Sequence, residues 1–269
     1  MEHVDELNEF ESVEKINIYE SYALLLKVAF VSDEFDINTR ALEKALKYEP
    51  KEFFKLLMFL RRKQVKLPAW LFNKLLECIA LFIPAELVAL MADPAFSLSE
   101  IYEIKWALMS KPSYEQAKLY VRPDLTHFQI KEIALGFKQK LSMEQVKLYA
   151  DPKFHHEQMR LIREGFEKGF SMEQVKLYAD PRFSPEQMEE IILGFEHGLT
   201  LEQVKLYADP KFSAEQMRQI RLGLEYGIPL EQVKTYAKPE LSVGEMNLKR
   251  IYLEIDENRR RKGGFWWVK

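Results

Sequence analysis

The stretch Ser171-Met-Glu-Gln-Val-Lys-Leu-Tyr-Ala-Asp-Pro-Arg-Phe-Ser-Pro-Glu-Gln-Met-Glu-Glu-Ile-Ile-Leu-Gly-Phe-Glu-His-Gly-Leu199 decides the architecture of this chain. Its opening phrase returns every 29 residues, starting at Ser113, Ser142, Ser171, Thr200 and Pro229. A fixed period of this length marks an array whose units bury their apolar faces against their neighbours. Ser171 is placed to cap a short helix, with Gln174 completing a capping box and Phe170 and Val175 forming a hydrophobic staple. Asp180-Pro181 ends that helix, because a residue before proline is pushed out of the α region. Ser184, Pro185 and Gln187 open a second helix, stapled by Phe183 and Met188. Met188, Ile191, Ile192 and Phe195 recur along it at helical spacing. Gly198 supplies a left-handed residue past its end, and Leu199 staples the next unit.

Aligned copies form columns. Tyr120, Tyr149, Tyr178, Tyr207 and Tyr236 make one, read as inter-helix packing with hydroxyls at the rim. The Asp-Pro corner recurs at Asp93, Asp151, Asp180 and Asp209 and changes to Arg122-Pro123 and Lys238-Pro239. Gly136, Gly165, Gly194 and Gly223 fall inside the second helix, where glycine costs about 1 kcal/mol relative to alanine. Their return at one position predicts a close helix crossing. Pro84 to Lys111 fits the frame as an atypical first unit. The unit from Pro229 is the last, and its second helix runs past Met246 through Leu248, Ile251, Tyr252 and Ile255. End units are expected to present a polar outer face. The fold class is therefore all-α: a two-helix-per-repeat α-solenoid of about six units over 84–257. A helical N-terminal cap, 1–83, precedes it, with an independent functional domain as the alternative. A basic and aromatic tail, 258–269, follows.

The composition is 47% hydrophobic and 30% charged, ordinary for a globular chain, with only 10 glycines. Cys78, the single cysteine, lies in an apolar run and reads as a buried thiol in a reducing compartment. The acidic start, Met1 to Glu6, lacks the apolar core of a signal peptide. The greasiest stretch, Phe53 to Leu90, is too interrupted by charge to cross a membrane. A cytoplasmic location without membrane contact is expected. Charge is segregated: −8 over residues 1–36, +6 over 37–83, −5 over 84–246 and +4 over 247–269. Pairing of the acidic and basic N-terminal segments, or a dedicated charged interface, would account for the first two.

Chemistry is sparse. His127 and His156 share one repeat position on adjacent layers, too far apart to hold one zinc ion, and His155 replaces a capping serine. There is no HExxH, GxSxG, Cys pair or phosphate-cradling loop. The carboxylates Glu115, Glu144, Glu173, Glu202 and Glu231 recur in every copy, as capping and solvation would produce. Neither catalysis nor a metal, cofactor or small-molecule substrate is expected.

The phrase Glu-Gln-Val-Lys-Leu-Tyr-Ala-Asp-Pro-Lys-Phe, with the following Glu-Gln-Met and Gly-Phe/Leu-Glu-x-Gly, resembles tandem helical repeats of bacterial proteins, often from mobile elements, whose function is uncharacterised. The resemblance covers 84–246 and implies a bacterial or phage setting. It carries no functional residues over. Candidate binding residues come from the columns and from where they stop. Lys118, Lys147, Lys176, Lys205 and Lys234 form a basic row, each three residues after its column glutamate, so helix-face pairing is the simpler account. Lys153, Arg182 and Lys211 form a second row at the corner. The chain ends in Arg259, Arg260, Arg261, Lys262, Gly263, Gly264, Phe265, Trp266 and Trp267, followed by Val268 and Lys269. That run suits either a lid on the last helix or docking onto a protein groove or nucleic acid. The sequence thus points to a non-enzymatic scaffold that binds another protein, such as a bacterial or phage regulator or inhibitor of a larger complex. The alternative is a nucleic-acid-binding accessory protein using the basic segment 40–66 and the Arg-rich tail.

Overall fold

The structure, a computed structural model, describes residues 22–33 and 36–261 of the 269. Among the described residues it is all-helical, with no strand and one parallel bridge between Val31 and Leu67. The chain divides into two compact units, residues 1–143 and 144–269.

The first unit contains α1 (22–30), α2 (Thr39–Tyr48), α3 (Pro50–Lys63), α4 (Ala69–Ala80), α5 (Ala85–Val88), a 3-10 turn (Ala89–Met91), α6 (Leu98–Leu108), α7 (Tyr114–Tyr120) and α8 (His127–Lys138). Its local signals work as capping chemistry requires. The Asn38 side chain accepts from the Ala41 amide to start α2, and Pro50 opens α3. Helices α4 and α5 follow Pro68 and Pro84, which have no capping side chain. Their first amides are met from far away: Ala69 N donates to Asp33 Oδ2 at 3.1 Å, and Ala85 N to Glu52 Oε2 at 2.7 Å. The Ala85 amide, with Lys55, holds the Glu52 carboxyl below its ordinary range. The core gathers where α2 packs on α4, α3 on α5 and α6 on α8, around Leu42, Leu56, Phe72, Leu75, Ile79, Ile101 and Ile104.

Helix α9 (Met143–Lys147) lies at the boundary. The second unit continues with α10 (His156–Glu167), α11 (Met172–Lys176), α12 (Pro185–Glu196), α13 (Leu201–Lys205), α14 (Ala214–Glu225), α15 (Leu230–Val233) and α16 (Val243–Arg261). In it α10 packs on α12, α12 on α14 and α14 on α16.

The 29-residue frame is sharper in conformation than in sequence. Long helices begin at residues 69, 98, 127, 156, 185, 214 and 243, and short ones at 85, 114, 143, 172, 201 and 230. Left-handed residues follow the long helices at Phe82, Lys111, Lys140, Gly169, Gly198 and Gly227. The frame thus reaches back to α4, inside the segment 1–83 that sequence identity leaves out of register. It was hidden there because Pro68 replaces the capping serine and Phe82 replaces glycine at a positive φ of 63°.

The glycine column has a different cause from the expected helix crossing. A Cβ on Gly165, Gly194 or Gly223 would overlap the hydroxyl of Tyr178, Tyr207 or Tyr236, thirteen positions later in sequence. The tyrosines are fully buried, so their hydroxyls sit in glycine sockets and not at a rim. Tyr207 donates to Glu190 O at 3.3 Å and Tyr236 to Gln219 O at 3.5 Å. One copy earlier than the tyrosine series, the same two repeat positions hold Cys78 and Met91, whose sulfurs lie 4.0 Å apart.

The capping glutamine of each second helix does more than cap. Gln187 Oε1 accepts from Ser184 N at 2.7 Å, while its Nε2 donates to the carbonyls of Pro210, at 3.2 Å, and Phe212. Gln158 and Gln216 repeat the pattern with Pro181 and Phe183, and with Pro239 and Leu241. One buried amide therefore ties a helix start to the next copy's proline corner. Gln187→Ala leaves these buried groups unpaired. It should cost about 2–3 kcal/mol, more than the roughly 1 kcal/mol of a lost cap, as read from urea unfolding. A loss no larger than that of Ser171→Ala would refute the clamp.

The last helix departs from expectation. The exposed face of α16 is apolar, formed by Leu248, Ile251, Tyr252 and Ile255, instead of the polar face a terminal unit should show.

Candidate functional site

The first basic row is exposed: Lys147, Lys176 and Lys205 stand in the last turns of α9, α11 and α13. Its pairing is mixed. Lys118 and Lys234 reach their own-helix glutamates, Glu115 at 3.6 Å and Glu231 at 2.6 Å. Lys205 instead lies 3.7 Å from Glu173 of the preceding copy. Exposed pairs like these contribute at most about 1 kcal/mol each. The corner row is bound into its own turns. Asp151, Asp180 and Asp209 each accept, through Oδ1, the amide of the residue two positions on, at 3.0 Å. Asp180 additionally grips the Arg182 guanidinium, whose hydrogen bonds hold the Asp180 carboxyl below its ordinary range.

The Arg-rich run does not begin a separate tail: Arg259, Arg260 and Arg261 are the last turn of α16, where cations suit the helix dipole. Arg260 pairs with Asp256 at 2.8 Å, and Arg261 reaches Glu257 and the carbonyl of Gly227. Arg259 has no ion-pair partner among the described residues. Lys262, Phe265, Trp266 and Trp267 lie outside the described residues. In the basic segment 40–66, Arg40, Lys44, Lys47, Lys51, Arg61, Arg62 and Lys66 are exposed and make no ion pair among the described residues. Lys63 donates to Ala89 O at 3.0 Å, and Lys55 pairs with Glu52. Arg40 and Lys44 line a recess of about 250 Å³ with Glu77 and Lys105, which pair at 2.8 Å.

Sequence reading missed one surface. On α6, Leu98, Tyr102, Trp106 and Met109 follow one another at helical spacing, and each is between 42% and 55% exposed. Lys138 Nζ stands 4.6 Å from the Trp106 ring centre, and Lys74 Nζ is 5.1 Å from that of Tyr102. A recess of about 230 Å³ opens beside Trp106 and Met109, walled by Ala134 and Lys138. The signal lay in the columns. Later copies carry Lys131, Arg160, Glu189 and Arg218 at the Tyr102 position, and Lys138, Glu167, Glu196 and Glu225 at that of Met109. From α6 to α14 these two columns lack a charge only on α6.

Between α12 and α14, the guanidinium of Arg221 is buried with its carboxylates. Nε donates to Glu190 Oε2 at 2.8 Å and NH1 to Glu225 Oε1 at 2.6 Å, and His197 Nδ1 lies 2.8 Å from the same Glu225 oxygen. Burial pulls the Arg221 pKa down, but the two glutamates outweigh it and hold it above its ordinary value. The preceding interface has Leu161 and Ile192 at the Glu190 and Arg221 positions, and the following one has Gln219 and Arg250, bonded at 3.0 Å. The pair varies together between apolar and polar versions, so it is inter-helix packing.

Among the described residues no three His, Cys, Asp or Glu side chains come together as a metal ion would need. Burial pushes the Cys78 thiol up to about 12, so it is neutral and packs as an apolar group. No described helix is long and apolar enough to cross a membrane. No family model matches the chain, and neither a curated protein nor a solved structure is similar to it.

Proposed function

We propose that this chain is a non-enzymatic α-solenoid of 29-residue copies with a helical N-terminal cap, serving as a scaffold that binds another protein. In a bacterial or phage cytoplasm it would act as a regulator or inhibitor of a larger complex. The frame of helix starts and the Tyr-Gly sockets support the solenoid part. The α6 stripe supports the binding part. Half-exposed Trp, Tyr and Met, the last two in columns that are charged in the copies from α8 to α14, are the residue types that anchor protein interfaces. The cations over the two rings select a partner segment that offers apolar side chains flanked by carboxylates. The test is capture of partners from host lysate by the full chain, by Trp106→Ala and by Tyr102→Glu, with and without nuclease. A nuclease-resistant partner should bind the Trp106→Ala chain at least about 30-fold more weakly, as removal of an aromatic anchor implies. Equal capture by all three chains would overturn this assignment.

The second reading, a nucleic-acid-binding accessory protein, rests on the unpaired cations of 40–66. It requires capture that nuclease abolishes and affinity that falls steeply with salt.

A further inference from the structure

The open face of α16 is an interaction surface, and we propose that its occupant is the same face of a second copy of this chain, packed antiparallel about a two-fold axis near Tyr252. Leu248, Ile251, Tyr252 and Ile255 stand at the repeat positions that α12 and α14 use to receive the next copy. On α12 these include Glu190 and Gly194, which take the Tyr207 hydroxyl, and His197, which meets Glu225. On α14 they include Gln219 and Tyr226, which meet Arg250. On α16 no helix among the described residues covers these four, with Leu248 at 70% and Tyr252 at 73% exposure. Tyr252 fills the position where Gly165, Gly194 and Gly223 leave a socket, so the tyrosine of a further repeat would find no place for its hydroxyl. The socket is closed while the face stays apolar.

The pattern fits a self-complementary seam. Glu245, Leu248, Tyr252, Ile255 and Arg259 alternate by three and four residues, the spacing of a two-helix contact. Antiparallel pairing about Tyr252 sets Leu248 against Ile255 of the second copy and Glu245 against its Arg259, twice by symmetry. Those two charges are available. Glu245 spends only Oε2 on its capping box with Ser242, and Arg259 is the one of the three terminal arginines without an ion pair among the described residues. The contact is small, at the low end of specific interfaces, so the dimer should be weak.

Sedimentation velocity of the full chain, from about 1 to 300 µM, tests this. A concentration-dependent monomer–dimer equilibrium is expected. Tyr252→Glu and Leu248→Glu should each abolish it without lowering the melting temperature, because both side chains are exposed. Arg259→Glu should weaken it about 10-fold or more, and adding Glu245→Lys to Arg259→Glu should restore it. A monomer at every concentration, or a dimer indifferent to Tyr252→Glu, overturns the proposal. So does dimerisation only after residues 262–269 are removed, which would make that segment the occupant.

Discussion

Gly194→Ala lowers the stability of the protein, although helix propensity alone would raise it by about 1 kcal/mol. The new methyl group meets the Tyr207 hydroxyl, and Tyr207 is fully buried, with no open space to swing into. The ring must shift, losing packing and its bond to Glu190 O. A net loss of about 2 kcal/mol is expected from such overpacking, visible as a drop of several degrees in a thermal melt. Tyr207→Phe alone should cost about 1 kcal/mol for the lost hydrogen bond. The combination is the decisive measurement. With the hydroxyl gone the nearest atom to the methyl is the ring carbon at 3.3 Å, which need give only slightly, so the double variant should be more stable than the sum of the single losses by at least about 1 kcal/mol. Strict additivity would show that the glycine and the tyrosine are not one device.

Arg221→Ala is expected to cost about 3–5 kcal/mol at neutral pH, the largest single loss in the second unit. Its guanidinium is the cation of two largely buried glutamates, Glu190 and Glu225. Removing it leaves their charges together in a poorly solvated place. The compensating pair is written in the chain itself. Glu190→Leu with Arg221→Ile copies Leu161 and Ile192, and should recover most of the loss, since well-packed apolar residues can replace a buried ion pair. Urea unfolding at neutral pH checks both statements. A double variant as unstable as Arg221→Ala would contradict them.

Legibility differed between parts of the molecule. Ser184 and Gln187 announced the start of α12, and Gly198 its end, because capping and left-handed geometry depend on residues a few positions apart. Helix α4 is in the same frame, but no local signal marks its start. Its first amide is capped by Asp33, 36 residues away, and no local pattern encodes such a partner. The Nε2 of Gln187, which donates to the next copy's corner, is invisible in sequence for the same reason. The candidate surface followed the opposite logic. Arg259 to Arg261 drew attention as a run, yet they form the last turn of a helix. The α6 stripe lay unnoticed in four separate columns, because exposure belongs to the folded chain.

By itself the sequence determined the repeat length, the helical class, the caps and corners, and the column in which each tyrosine and glycine falls. These follow from interactions within one or two turns of chain. The tertiary structure decided why Tyr207 needs Gly194, why Arg221 can be buried, and which apolar residues remain uncovered on α6 and α16. Each of those depends on what a neighbouring helix places against a side chain, and a neighbour in space is not a neighbour in sequence.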